Sequence, residues 1–155
     1  MEIFTVSFFG HRWIYENFRQ IEAKLEEIIR KLIMEYEYVD FLVGRDGDFD
    51  RMVASMVRIV RRDGFDFNSS LVWVMPYTKA EYYNNRENFD KYYDEIEVCD
   101  KSYSAHPKSA IKIRNEYMID RSDLTVFYVT KDSGGAYKAM KYAMQNKKNI
   151  INLAE

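Results

Sequence analysis

The chain has 155 residues, 47% hydrophobic and 31% charged, with 23 basic against 25 acidic side chains for a net charge of -2. That suits one domain with a real core, excludes a disordered or fibrous chain, and lacks the basic excess that advertises nucleic-acid or membrane partners. The single cysteine, Cys99, excludes an internal disulfide or a four-cysteine zinc site, no apolar run approaches the roughly 18–20 residues of a membrane span, and the start MEIFTVSFFG lacks the marks of a signal peptide, so a cytoplasmic protein is expected.

Residues 3–9 are β-branched and aromatic and stop at Gly10, which predicts a buried strand. From Ile14 to Tyr36, apolar residues recur in steps of three and four, the stripe of a long amphipathic helix. Residues 39–43 predict a second strand, closed by Gly44. Asp50 is placed as the cap of a helix over 51–62, ended by Asp63-Gly64. Residues 71–75 read as a third strand stopped by Pro76. The tyrosine-rich stretch 77–94 reads as a loop with one short helix, and 96–98 as a short strand. Pro107 suits the first turn of a helix running to about residue 121. Residues 124–129 form an apolar strand, 132–135 a turn, the next ten or so a helix, and 149–153 the last strand. Met34, Met52, Met56, Met140 and Met144 fall at helical spacings and read as core filler.

Strands alternating with helices predict an α/β fold, doubly wound around a mainly parallel sheet, as one domain over residues 1–155. Ligands in such folds bind beyond the carboxyl ends of the strands, so the residues after each strand are the candidates. After the first come Gly10, His11 and Arg12. Glycine permits a tight turn, and arginine can fork a phosphate, while His11 can equally cap a helix. After the second, Gly44 and Gly47 before a helix resemble a phosphate cradle, but Asp46, Asp48 and Asp50 would repel phosphate unless they hold ribose hydroxyls or the helix start. After the fifth, Gly134 and Gly135 open a helix, the best anion site on chemistry alone. Arg114 and Met118 share a helix face, and Arg114 reaches either a phosphate or a surface carboxylate.

No nucleophile elbow and no glycine-rich loop ending in Lys-Ser/Thr is present. Cys99 reads as a buried inert thiol. With two histidines, no histidine metal cluster is expected, and neither metal nor cofactor is assigned. Aromatics make up 16% of the chain, and the pairs Tyr82-Tyr83 and Tyr92-Tyr93 either cover a pocket or form an oligomer contact.

The segments FFGHR (8–12), VGRDGDFDRMV (43–53), RNEYMIDRSD (114–123) and SGGA (133–136), closed by NIINL (149–153), occur in that order. The set resembles stand-alone SLOG-family proteins of Firmicutes and their phages, a Rossmann-like superfamily that includes YpsA-like proteins and the LONELY GUY phosphoribohydrolases. The resemblance spans about residues 3–153. It implies a nucleotide pocket lined by Gly10, His11, Arg12, Gly44, Arg114, Asn115, Gly134 and Gly135, and homo-oligomers; Asp46 joins these as a ligand-binding candidate from its place after the second strand. LONELY GUY enzymes carry an arginine-lysine pair and a glutamate after their glycine motif. Here Asn115 follows Arg114, and residues 136–140 hold no glutamate, which counts against hydrolysis.

The sequence therefore leads to the expectation of a non-catalytic module that binds, senses or sequesters a nucleotide or ADP-ribose-like ligand. No nucleic-acid or membrane partner is expected. Phosphate would sit on the Gly134-Gly135 helix start, with Arg114 or Arg12 neutralising it and Phe9, Tyr77 or Tyr128 stacking on the base. The alternatives are an N-glycosidase using Asp46, Asp48 or Asp50, and a protein-interaction domain with an unused pocket.

Overall fold

The structure is a computed structural model and describes residues 1–65 and 67–155. The elements run β1 (Ile3–Gly10), α1 (Phe18–Glu35), β2 (Tyr38–Val43), α2 (Asp48–Arg62), β3 (Ser69–Met75), α3 (Ala80–Asn84), α4 (Arg86–Tyr92), β4 (Glu95–Val98), α5 (Pro107–Asp120), β5 (Leu124–Tyr128), α6 (Gly135–Gln145) and β6 (Ile150–Asn152). They form one six-stranded sheet of order β4-β3-β2-β1-β5-β6, parallel throughout. A parallel sheet needs cover on both faces, which is why β3 reads as an unbroken run of buried residues. Helices α1 and α2 pack on one face around Phe8, Phe41, Phe49 and Trp73. Helices α5 and α6 cover the other around Leu42, Val72, Met118 and Phe127.

The predicted strands and long helices are present, and the differences have local causes. The first long helix begins at Phe18, not Ile14, because Asn17 adopts a left-handed φ of 63° that interrupts the helical path. Ile14 keeps its place in the apolar pattern by packing into the core from the loop. Gly47, not Asp50, is the N-cap of α2, and Asp50 lies inside the first turn. The 77–94 stretch holds two short helices, α3 and α4. Tyr82, Phe89 and Tyr93 from this stretch pack around Trp73 with ring centroids 6.0, 5.1 and 5.3 Å away. The tyrosines thus complete a core wall, and Tyr83 alone among the four faces solvent. Met34 and Met144 are 72% and 61% exposed, so they are surface residues and not filler. Among the described residues, no helix is long and apolar enough to cross a membrane.

Candidate functional site

Strand order reverses at β1. The chain leaves it toward β2, while β5 lies on its other side, so the connections after β1 and β5 diverge and leave a crevice at their carboxyl ends. A cleft of about 280 Å³ opens there. Its lining brings together Gly10, Arg12, Gly44, Asp46, Arg114, Asn115 and Gly135 of the predicted set, with Gly47 and Asp50 beside them. His11 and Gly134 stand outside this lining.

The glycines serve packing as much as access. A side chain at Gly10 would overlap the Phe49 ring of α2, so this glycine lets α2 close onto the end of β1. Gly10→Ala is expected to cost about 1–3 kcal/mol of stability, the scale of an overpacked core, readable by chemical denaturation. A side chain at Gly47 would overlap the backbone of Arg12, which crosses directly over the α2 N-terminus. There the Asp48 N–H donates to the Arg12 carbonyl (2.7 Å), the Ile14 N–H to Asp48 Oδ2 (3.0 Å), and the Asp46 N–H to Asp50 Oδ2 (3.0 Å). The α2 start is therefore closed over by the first loop and is not the phosphate cradle its glycines suggested.

Arg114 is 1% exposed, so it is neither a surface ion pair nor a free phosphate ligand. All three of its nitrogens are engaged. Nε donates to Asn115 Oδ1 (3.0 Å), Nη1 to the Val74 carbonyl (2.8 Å), and Nη2 to the Asp46 carboxylate. Gly44 makes room for this pair, since a Cβ there would lie 3.0 Å from Asp46 Oδ2 and 3.1 Å from the guanidinium. Lys79 adds a second cation 3.3 Å from Asp46. Burial pushes the Asp46 carboxyl up, but Arg114 and Lys79 outweigh it and hold the group below its usual value. Asp50 has no cation of its own. Burial, then the neighbouring Asp46 carboxylate, push it up to about 7.

His11 caps no helix. Its Nε2 accepts the Thr130 N–H (2.9 Å), which ties the loop after β1 to the loop after β5. Burial and then Lys131 lower its pKa, so the neutral ring that this bond requires is favoured. The candidate stacking residues Phe9 and Tyr128 are core residues, stacked on Phe127 and Phe49 respectively. Tyr77 is half-buried.

Gly134, with φ 93°, is the N-cap of α6, and no side chain caps that helix. Nothing lies within 4 Å of where a Gly135 side chain would point. The first α6 amides thus face open space, the geometry that favours an anion. From Gly135 and Asn115 a second groove of about 290 Å³ continues between α5 and α6, lined by Lys108, Lys112 and Lys138, with Glu116 paired to Lys112 at 3.9 Å and Ile111, Ala139 and Tyr142 as apolar wall. Sequence reasoning missed these lysines because nothing in their spacing joins two separate helices. It also missed Trp13 and Tyr15, 62% and 86% exposed on the loop after Arg12. Their signal was present: Trp13 stands just before the helix assigned from Ile14, and Tyr15 falls off its apolar stripe. Among the described residues, no group of three or more His, Cys, Asp or Glu is arranged to hold a metal ion.

No protein-family description and no curated protein matches the sequence. Solved structures share the fold, among them two DNA processing proteins. DNA processing protein A (DprA) from Streptococcus pneumoniae superposes with a TM-score of 0.68 at 13% identity, over 96% of this chain and 49% of that one. DNA processing protein A from Helicobacter pylori, solved for its single-stranded DNA binding mode, gives 0.64 at 12% identity, over 95% of this chain and 63% of that one. The chain thus spans about half to three-fifths of these proteins. The likeness carries the Rossmann-like fold. It also corrects the functional expectation: these two structures are of DNA-processing proteins, one described for its single-stranded DNA binding mode, which stands against the nucleotide-sensing reading and its exclusion of a nucleic-acid partner.

Proposed function

We propose that this chain binds single-stranded nucleic acid along the carboxyl edge of its sheet. The observation that carries the reading is the lysine groove continuous with the cleft. Lys108, Lys112 and Lys138 line it, and the uncapped α6 start opens into it. A phosphate backbone needs a track of cations and N–H donors, and a single strand also needs aromatic faces on which bases stack. Trp13 and Tyr15 supply such faces next to Arg12 at the cleft rim. The net charge of -2 is no obstacle, because the three lysines of the groove outnumber its one carboxylate, Glu116. Kinship with SLOG proteins belongs to this proposal, and it rests on the ordered glycine motifs and the shared sheet.

Fluorescence anisotropy with a labelled oligothymidylate tests the reading. Replacing Lys108, Lys112 and Lys138 together with alanine is expected to weaken binding and to reduce the slope of log affinity against log salt by about 2, since each lost phosphate contact on a single strand removes about 0.7. Gly135→Val is expected to fold normally, given the open space around it, and to weaken binding by blocking the α6 amides. Unchanged affinity in both variants would overturn the proposal.

Self-association is a further part of the reading. Trp13, Tyr15, Phe67, Tyr83 and Tyr103 are all more than half exposed, more aromatic surface than a small monomer usually leaves in water. Light scattering at tens of micromolar, an order of magnitude suited to a stable interface, is expected to give a mass above 18.6 kDa.

A further inference from the structure

On the face of the sheet turned away from the lysine groove, another groove of about 490 Å³ lies between α2 and α4. Its walls carry four cations, Arg58, Arg61, Arg62 and Lys91, against one carboxylate, Asp94. That carboxylate is taken up within the fold. It accepts Nη1 and Nη2 of Arg61 (2.6 and 3.0 Å) and the Leu71 N–H (2.7 Å). Lys91 meets Glu87 at 3.3 Å, but the two side chains are 73% and 83% exposed, so water screens the pair. Arg58 and Arg62 are exposed and, among the described residues, have no carboxylate within 4 Å. They stand one turn apart on α2, a spacing at which like charges destabilise a helix. Other helices of this chain set opposite charges at that spacing, as in Glu26–Arg30, Arg86–Asp90 and Lys112–Glu116. The negative carboxyl end of α2 accounts for Arg62 in the last turn, but not for Arg58 a turn earlier. Arg58 is also held in place. Its guanidinium lies 4.2 Å over the Tyr92 ring, and Nη1 donates to the Tyr92 carbonyl (3.0 Å), which leaves Nε and Nη2 without a partner among the described residues.

Resting on the strand-binding reading above, we infer that the groove between α2 and α4 binds a second segment of single-stranded nucleic acid, with Arg58 and Arg62 on its phosphates. A polymer fits better than a small anion. The cations are exposed and spread over two helices, so one phosphate would gain little from any of them. A strand gains from all of them together, because each phosphate neutralised releases counterions. The groove also offers what an acidic peptide does not need. A guanidinium plane laid on an aromatic ring is a surface on which bases stack, and Arg58 on Tyr92 makes one beside the free cations. The Ser55 hydroxyl, one turn before Arg58 on the same wall, adds a neutral donor. The sheet lies between this groove and the lysine groove, so the two hold separate segments of strand.

The test is a calorimetric titration at low salt with a strand of about six thymidines, near the small end of single-strand site sizes. The wild-type chain is expected to take up two strands. The pair Arg58→Ala and Arg62→Ala is expected to leave one, the alanine triple at Lys108, Lys112 and Lys138 to leave the other, and all five changes together to leave none. The strand that remains in each variant should keep its affinity within about twofold, as distant sites act independently. Arg62→Glu alone, at an exposed position, is expected to weaken one of the two strands about tenfold, the size of one charge-assisted hydrogen bond. Circular dichroism spectra like the wild type's confirm that the variants fold. One strand per chain, lost with the lysines and untouched by the arginine changes, overturns the inference while the reading above stands. One strand lost with the arginines and untouched by the lysine changes supports this groove and overturns the lysine groove. Displacement of the second strand by oligoglutamate of equal charge at equal concentration assigns the groove to acidic peptide and overturns the inference. No uptake at all overturns both.

Discussion

Replacing Arg114 with alanine is expected to destabilise the fold by about 3–5 kcal/mol, the loss seen when one partner of a buried ion pair is removed. Asp46 would be left with Lys79 alone, beside a second carboxylate, and the Val74 carbonyl would lose its donor. Arg114→Lys recovers part of the loss, because one ammonium cannot reach all three acceptors. The combination of Arg114→Met with Asp46→Asn is expected to be milder than the first change alone, because no unpaired charge remains. Chemical denaturation of the four proteins measures this. A single loss below 1 kcal/mol, the scale of an exposed pair, would contradict the burial.

Asp50→Asn is expected to stabilise the protein at neutral and alkaline pH. A carboxyl raised to about 7 in the folded state binds its proton more tightly there than in the unfolded chain, where it titrates near 3.8. Its contribution is fully present below the unfolded value and is lost as pH rises through the folded one. The gap between variant and wild type should therefore open from about pH 4, widen to about pH 7 and stay level above about pH 8. Allowing for the cleft's partial access to water, the plateau is about 2 kcal/mol. His11 bends the wild-type curve the other way. Its lowered pKa gives stability that is present above the usual 6.5 of histidine and is lost as pH falls through the folded value. Denaturation midpoints of both proteins at several pH values, subtracted, cancel the His11 part and isolate Asp50.

The fold was legible because its signals are local. The run from Ile3 to Phe9 and the periodic α1 segment state their own secondary structure, and their alternation with the other elements leaves a parallel sheet as the arrangement that covers every apolar face. The cleft was legible in part. The glycines after β1 and β2 marked where the chain turns, yet their reason is contact: Gly10 with Phe49, Gly44 with the Arg114–Asp46 pair, Gly47 with Arg12. Such contacts join residues up to 70 positions apart, and no local pattern encodes them. Arg114 lines the cleft, but sequence alone does not reveal that Asn115, Val74 and Asp46 each engage one of its nitrogens. The lysine groove went unseen for the same reason, since Lys108 and Lys138 meet only when α5 and α6 pack side by side.

The two outermost strands set a limit on how this protein can assemble. β4 has four residues and β6 three, and β4 carries Glu95 and Glu97. At the end of β6, Asn152 turns its side chain inward to the Val129 backbone, accepting from N–H at 3.1 Å and donating to the carbonyl at 3.1 Å, which ties the strand's end to the residue after β5. An incoming strand from another copy would find three or four residues to pair with, one border flanked by carboxylates. Growth by sheet extension, the route that leads to open-ended fibres, is thereby disfavoured at both borders. Contact between copies is then left to side-chain surfaces such as the exposed Trp13 and Tyr83, which a single substitution alters without touching the sheet.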